Sequence, residues 1–97
     1  MTVVARTRQR DLVLHGRGTL MARCLALGLP VASACSGRGA CGKCVMTVLE
    51  GAEALRPPAA HETSVLARNG AGVDQRLSCQ CRMPSAKVEL VITTGYW

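Results

Sequence analysis

Residues 35–44 read Cys35-Ser36-Gly37-Arg38-Gly39-Ala40-Cys41-Gly42-Lys43-Cys44, and this stretch governs the reading of the whole chain. Its cysteines follow the spacing C-x5-C-x2-C, and Cys79 comes after a further 34 intervening residues, 45–78. Gly37, Gly39 and Gly42 lie in the gaps, and Ala34, Ser36 and Ala40 keep the side chains small, which is too permissive a backbone for a regular helix or strand. Such a loop can turn sharply and aim its N–H groups inward, while bulky side chains would obstruct whatever the sulfurs surround. The pattern therefore points to metal–thiolate chemistry. Structural zinc also takes four thiolates, but mostly as paired short knuckles. Here the distant cysteine lies in Leu77-Ser78-Cys79-Gln80-Cys81, not in a second C-x2-C. A 2Fe-2S cluster, with two thiolates on each iron, suits one ligand-rich loop plus one remote cysteine better.

Outward from the loop, the flanking sequence sorts into short elements. Residues 2–6 and 11–15 read as two strands joined by a polar turn. Thr19 is a suitable N-cap for a helix from Leu20 to Leu27, with Leu20, Cys24 and Leu27 on one face and Gly28 and Pro30 at its end. Residues 45–49 alternate as a strand, and Pro57-Pro58 marks a turn. Glu62 to Ala67 predicts a short helix stopping before Asn69-Gly70. Residues 76–79 and 87–93 supply the last strands. The order implies one mixed α+β domain over residues 1–97.

This sequence resembles the 2Fe-2S ferredoxins of the β-grasp fold, on Cys35 to Cys44 and on Arg76-Leu-Ser-Cys-Gln80. In element order the likeness runs over roughly residues 2–93. The five-residue gap between the first two cysteines is similar to adrenodoxin-type and some bacterial ferredoxins, whereas plant-type proteins have four. The chain also resembles ferredoxin modules fused to larger bacterial proteins, such as reductive activators and some nucleotide cyclases. The resemblance implies a mixed sheet of four to five strands with one main helix and a short second helix. It implies one 2Fe-2S cluster on Cys35, Cys41, Cys44 and Cys79, with Cys41 and Cys44 in the loop nearest the surface. It also implies a one-electron carrier, not an enzyme, passing electrons between a reductase and an acceptor. A low potential is expected, since plant-type centres lie near roughly −400 mV.

Charge separates this chain from its adrenodoxin-type relatives. Those carry an acidic partner-binding surface near the second helix, while residues 61–76 here offer only Glu62 and Asp74. Twelve Lys and Arg against six Asp and Glu give a formal charge of +6. Four thiolates around a 2Fe-2S core add two negative charges, leaving about +4 oxidised and about +3 reduced. Long-range steering then favours redox partners with an acidic docking face, with Arg38 and Lys43 as candidate contacts. Nucleic acid is not expected, because the basic residues are scattered and only Tyr96 and Trp97 are aromatic.

The remaining features take plainer readings. Gly37 to Gly42 fits G-x-G-x-x-G, but it contains a ligand cysteine and leads into a strand, so the match is accidental. A Rieske-type site needs two histidine ligands, and His15 and His61 lie far from the cysteines in sequence; both are expected on the surface. Cys24 is expected in the core. Cys81 is expected to pack along the strand that carries Cys79; an accessible thiol there would instead suit a cluster-based redox sensor acting on a partner protein. Tyr96 and Trp97 are either frayed or cover a core edge. Residues 20–34 imitate an exported leader, but Arg23 interrupts the run and residues 1–19 precede it. No run of about 18 apolar residues suggests a membrane span. A cytoplasmic monomer is the expectation.

Overall fold

The computed structural model describes residues 2–31, 43–84, 89–95 and 97. Five strands form one sheet: β1 (Thr2–Arg6), β2 (Asp11–Leu14), β3 (Val45–Glu50), β4 (Gln75–Leu77) and β5 (Glu89–Thr93), in the spatial order β2-β1-β5-β3-β4. β1 runs parallel to β5, and every other neighbouring pair is antiparallel. The sheet is thus mixed, as expected, with β5 at its centre. Leu90, Val91 and Ile92 are all buried there, because a central strand covered on both sides reads as a continuous apolar run.

Helix α1 (Leu20–Ala26) shows why its limits were readable. The Thr19 side chain accepts from the Ala22 N–H at 3.1 Å. The two preceding orphan donors are met from afar: Leu20 N–H donates to the Cys81 carbonyl at 2.7 Å and Met21 N–H to the Ser78 carbonyl at 3.1 Å. At the other end Gly28 takes φ +82°, and Leu29 N–H closes back on the Cys24 carbonyl at 3.0 Å. That closure departs from the helical rotation and leaves Leu27 45% exposed, not on the buried face with Leu20 and Cys24.

Helix α2 (Ala60–Arg68) is longer than the sequence suggests. It begins two residues earlier and, at nine residues, exceeds the seven of α1, so the helix expected to be the shorter is the larger one. Ala59 provides no capping side chain that could have announced the start. Its end closes in the same manner as α1, with Gly70 at φ +65° and Ala71 N–H donating to the Leu66 carbonyl at 3.0 Å.

Two apolar clusters result. The main core joins Val3, Ala5, Leu14, Leu20, Cys24, Met46, Val48, Leu55, Cys81, Leu90 and Ile92. A smaller one joins Cys44, Val65, Leu77 and Cys79, between α2 and the β3–β4 pair. Each fully buried aliphatic side chain contributes about 1.5–3 kcal/mol, which is how a core without phenylalanine is held. Trp97 packs on the edge of the main core, and its indole N–H donates to the Pro30 carbonyl at 2.7 Å. The terminal indole therefore covers a core edge and pins the segment that leads into the cysteine loop. Tyr96 lies outside the described residues.

Candidate iron–sulfur site

Cys44 and Cys79 flank the antiparallel β3–β4 pair. Val45 faces Leu77 across the β3–β4 ladder, so the residue before β3 and the turn after β4 lie at the same end of the sheet. The Cys44 carbonyl accepts both the Ser78 N–H at 3.1 Å and the Ser78 hydroxyl at 2.8 Å, locking the two segments together. Their sulfurs are 3.2 Å apart, with Cys44 1% and Cys79 5% exposed. An S–S bond would be about 2.0 Å. Two thiolates on one tetrahedral metal with bonds of about 2.3 Å would sit about 3.8 Å apart. Neither cysteine is in a disulfide, and the paired soft sulfurs in a water-poor pocket fit half of an iron–sulfur ligand set. Cys35 and Cys41 lie outside the described residues, as does Arg38.

The Cys79 segment departs from its expected form. Residues 78–80 are a turn, closed by Gln80 N–H donating to the Leu77 carbonyl at 3.0 Å, so Cys79 does not belong to β4. The turn sends Cys79 to the small cluster and Cys81 to the main core; strand alternation is not what buries Cys81. Gln80 returns its side-chain amide toward the Cys79 sulfur at 3.5 Å. Burial pushes the Cys81 thiol up to about 12, with Arg76 pulling the other way, and pushes Cys24 up to about 11. Cys81 is 3% exposed, which denies it the accessibility that a thiol sensor needs. His15 and His61 are both exposed.

One site residue escaped sequence reading. Glu62, counted there as a surface acid, is 3% exposed. Its carboxylate accepts from Arg76 Nε at 2.7 Å, Arg76 Nη2 at 2.9 Å and the Leu77 backbone N–H at 3.1 Å. Arg76 Nη1 also donates to the Arg56 carbonyl at 2.8 Å. The hydrogen bond to Glu62 raises the Arg76 guanidinium above its ordinary value, against the opposing effect of burial. This bidentate pair clamps α2 to β4 two residues before the Cys79 turn begins to close on the site. It also removes Glu62 from the surface, leaving Asp74 as the exposed acid of residues 61–76.

This fold and paired-thiol geometry define a class of protein, the small iron–sulfur carriers. Residues 5–84 match the family model described as the 2Fe-2S iron-sulfur cluster binding domain, and the chain belongs to that ferredoxin family of electron carriers. Its cofactor is one 2Fe-2S cluster. The 2Fe-2S ferredoxin-5 of Aquifex aeolicus is 36% identical over 66 residues, covering 67% of this chain and 68% of that protein. One component of the Na(+)-translocating NADH-quinone reductase of Pasteurella multocida is 39% identical over 78 residues, or 79% of this chain. The match spans only 18% of that much longer polypeptide. The fold is similar to the ISC-like 2Fe-2S ferredoxin of Pseudomonas putida JCM 20004, at TM-score 0.82 and 21% identity, covering 99% of this chain and 93% of that one. No helix among the described residues is long and apolar enough to cross a membrane.

Proposed function

We propose that Cys35, Cys41, Cys44 and Cys79 hold the cluster, and that the chain carries single electrons between a reductase and an acceptor protein without turning over a substrate. The observation that carries this reading is the buried Cys44–Cys79 sulfur pair at 3.2 Å, at the end of the β3–β4 ladder toward which the cysteine loop leads. When bound, the cluster supplies a centre that takes up and returns one electron. The chain's own residues do the rest. Ser78 fixes the Cys44 carbonyl, Gln80 offers an N–H toward the Cys79 sulfur, and Val65 and Leu77 keep water from the paired thiolates.

The partners are redox proteins presenting acidic faces, and a cytoplasmic monomer is the working form. Two features support the acidic partner face: the formal charge of +6, and the burial of Glu62 against Arg76, which leaves Asp74 as the exposed acid of residues 61–76. The full-length chain, purified anaerobically, tests the assignment through absorption, iron and sulfide content, and low-temperature EPR. The expected protein has two irons and two sulfides, is silent when oxidised and gives a spin-one-half signal when reduced. Serine at any of the four positions should abolish or change that signal, while serine at Cys24 or Cys81 should leave it intact. A colourless protein with stoichiometric zinc would overturn the proposal.

A further inference from the structure

Basic residues gather on one side of the fold around a hollow of about 390 Å³ between the start of α2 and the segment after Cys79. Arg56, His61, Arg76, Cys81 and Arg82 line it, along with Glu62. Glu62 is the one acid in the lining, and Arg76 already occupies its carboxylate at 2.7 and 2.9 Å. Arg56, His61 and Arg82 are exposed at the rim, and no acid among the described residues lies within ion-pairing distance of them. In the β1–β2 hairpin Asp11 pairs with Arg6 at 3.3 Å, while Arg8 and Arg10 line a second hollow of about 390 Å³ that lies away from Cys79 and so serves as the comparison.

A concave site with two unpaired guanidinium groups is built to take carboxylates, because each planar fork can bind one in two places. The hollow also abuts the chain at Gln80 and Cys81, immediately beyond Cys79, so an occupant stands next to the proposed cluster ligand. We infer that this hollow is the docking site for an acidic segment of a redox partner, with Arg56 and Arg82 as its principal contacts. The inference rests on the carrier reading above and gives it a location. It moves the contact from Arg38 and Lys43 in the cysteine loop to the α2 side of the site.

The test uses the holoprotein and a fluorescein-labelled hexaglutamate peptide as the stand-in for the partner segment, with binding read by anisotropy at low ionic strength. Two double variants remove the same charge: Arg56→Gln with Arg82→Gln, and Arg8→Gln with Arg10→Gln. The first should weaken peptide binding about tenfold, and the second less than about twofold. Equal losses in the two would mean that the peptide senses only net charge, and would overturn the site. Displacement of the peptide by millimolar inorganic phosphate as effectively as by unlabelled peptide would make this a small-anion site and would overturn the docking assignment. The visible spectrum of each sample separates the two levels of argument. A protein without a cluster spectrum defeats the carrier reading, whereas equal losses with the spectrum intact defeat the docking site alone.

Discussion

Replacing Glu62 by glutamine keeps the side chain's size but removes most of what it does. The carboxylate accepts three hydrogen bonds on two oxygens, from Arg76 Nε, Arg76 Nη2 and Leu77 N–H. Glutamine offers one oxygen and turns an NH2 group toward donors. The Arg76 guanidinium, with a side chain only 14% exposed, is left without its counter-charge. Breaking a buried pair from one side costs about 3–5 kcal/mol. The Arg56 carbonyl at 2.8 Å still receives one Arg76 donor, which favours the lower end, about 3 kcal/mol. For a domain of this length each 1 kcal/mol moves the melting temperature by about 4–8 °C, so a fall of about 12–24 °C is expected. Holoprotein melts, followed by circular dichroism and by the visible band of the cluster at one scan rate, measure it. The Arg6–Asp11 pair is the internal control, since both side chains are 51% exposed and Asp11→Asn should cost under about 0.5 kcal/mol. Replacing both partners, Glu62→Leu with Arg76→Met, should recover at least half of the loss, because no buried charge then remains. If Glu62→Gln melts no lower than Asp11→Asn, the clamp between α2 and β4 is not a structural determinant and the reasoning fails.

Three further outcomes follow from local geometry. Gly51 sits at φ +82°, and an added Cβ would run into the Glu89 carbonyl and lie 2.9 Å from the Leu90 Cα, so Gly51→Ala should lose about 2–4 kcal/mol in urea unfolding. An unchanged urea midpoint would show that the β3–β5 edge yields there. Gln80→Leu removes an N–H near the Cys79 sulfur that favours the more negative, reduced state; the reduction potential should fall by about 30 mV, read by spectroelectrochemistry. A rise would contradict that role. Cys24, buried with its thiol pushed up to about 11 from 9.0, holds its proton more tightly folded than unfolded. Its stability contribution is complete below about pH 9 and is lost as pH rises through about 11, by about 3 kcal/mol. Urea titrations of Cys24→Ala should show a shallower fall over that window than the parent; parallel curves would be inconsistent with the assignment.

The parts of this fold that sequence displays are those set by neighbours in the chain. Thr19 caps α1 through a donor three residues away, and Gly28 ends it by adopting a backbone angle that other residues resist. The cysteine loop announces itself by spacing and small side chains. What stays hidden depends on distance. Glu62 looks like a solvated acid until Arg76 is folded against it, fourteen residues on. The start of α2 has no capping side chain, so its first turn, stabilised by packing on β4, leaves no local mark. The exit of Cys79 from its strand is likewise fixed by tertiary partners, since the Ser78 and Cys81 carbonyls are held by the first N–H groups of α1.

The position of β5 also sets an order of assembly. This strand joins β1 on one side and β3 on the other, yet its residues 89–93 follow every other strand in the chain. As the polypeptide emerges from the ribosome, the β1–β2 hairpin and the β3–β4 pair can each zip up, but no strand pairing joins one to the other until the keystone arrives. Cys44 and Cys79 both flank the β3–β4 pair, which precedes β5 in the chain, so the pair of sulfurs can meet before the sheet closes. On the ligand assignment proposed above, maturation with iron and sulfide has a window in which the Cys44–Cys79 half of the set is formed while the core behind it is still open.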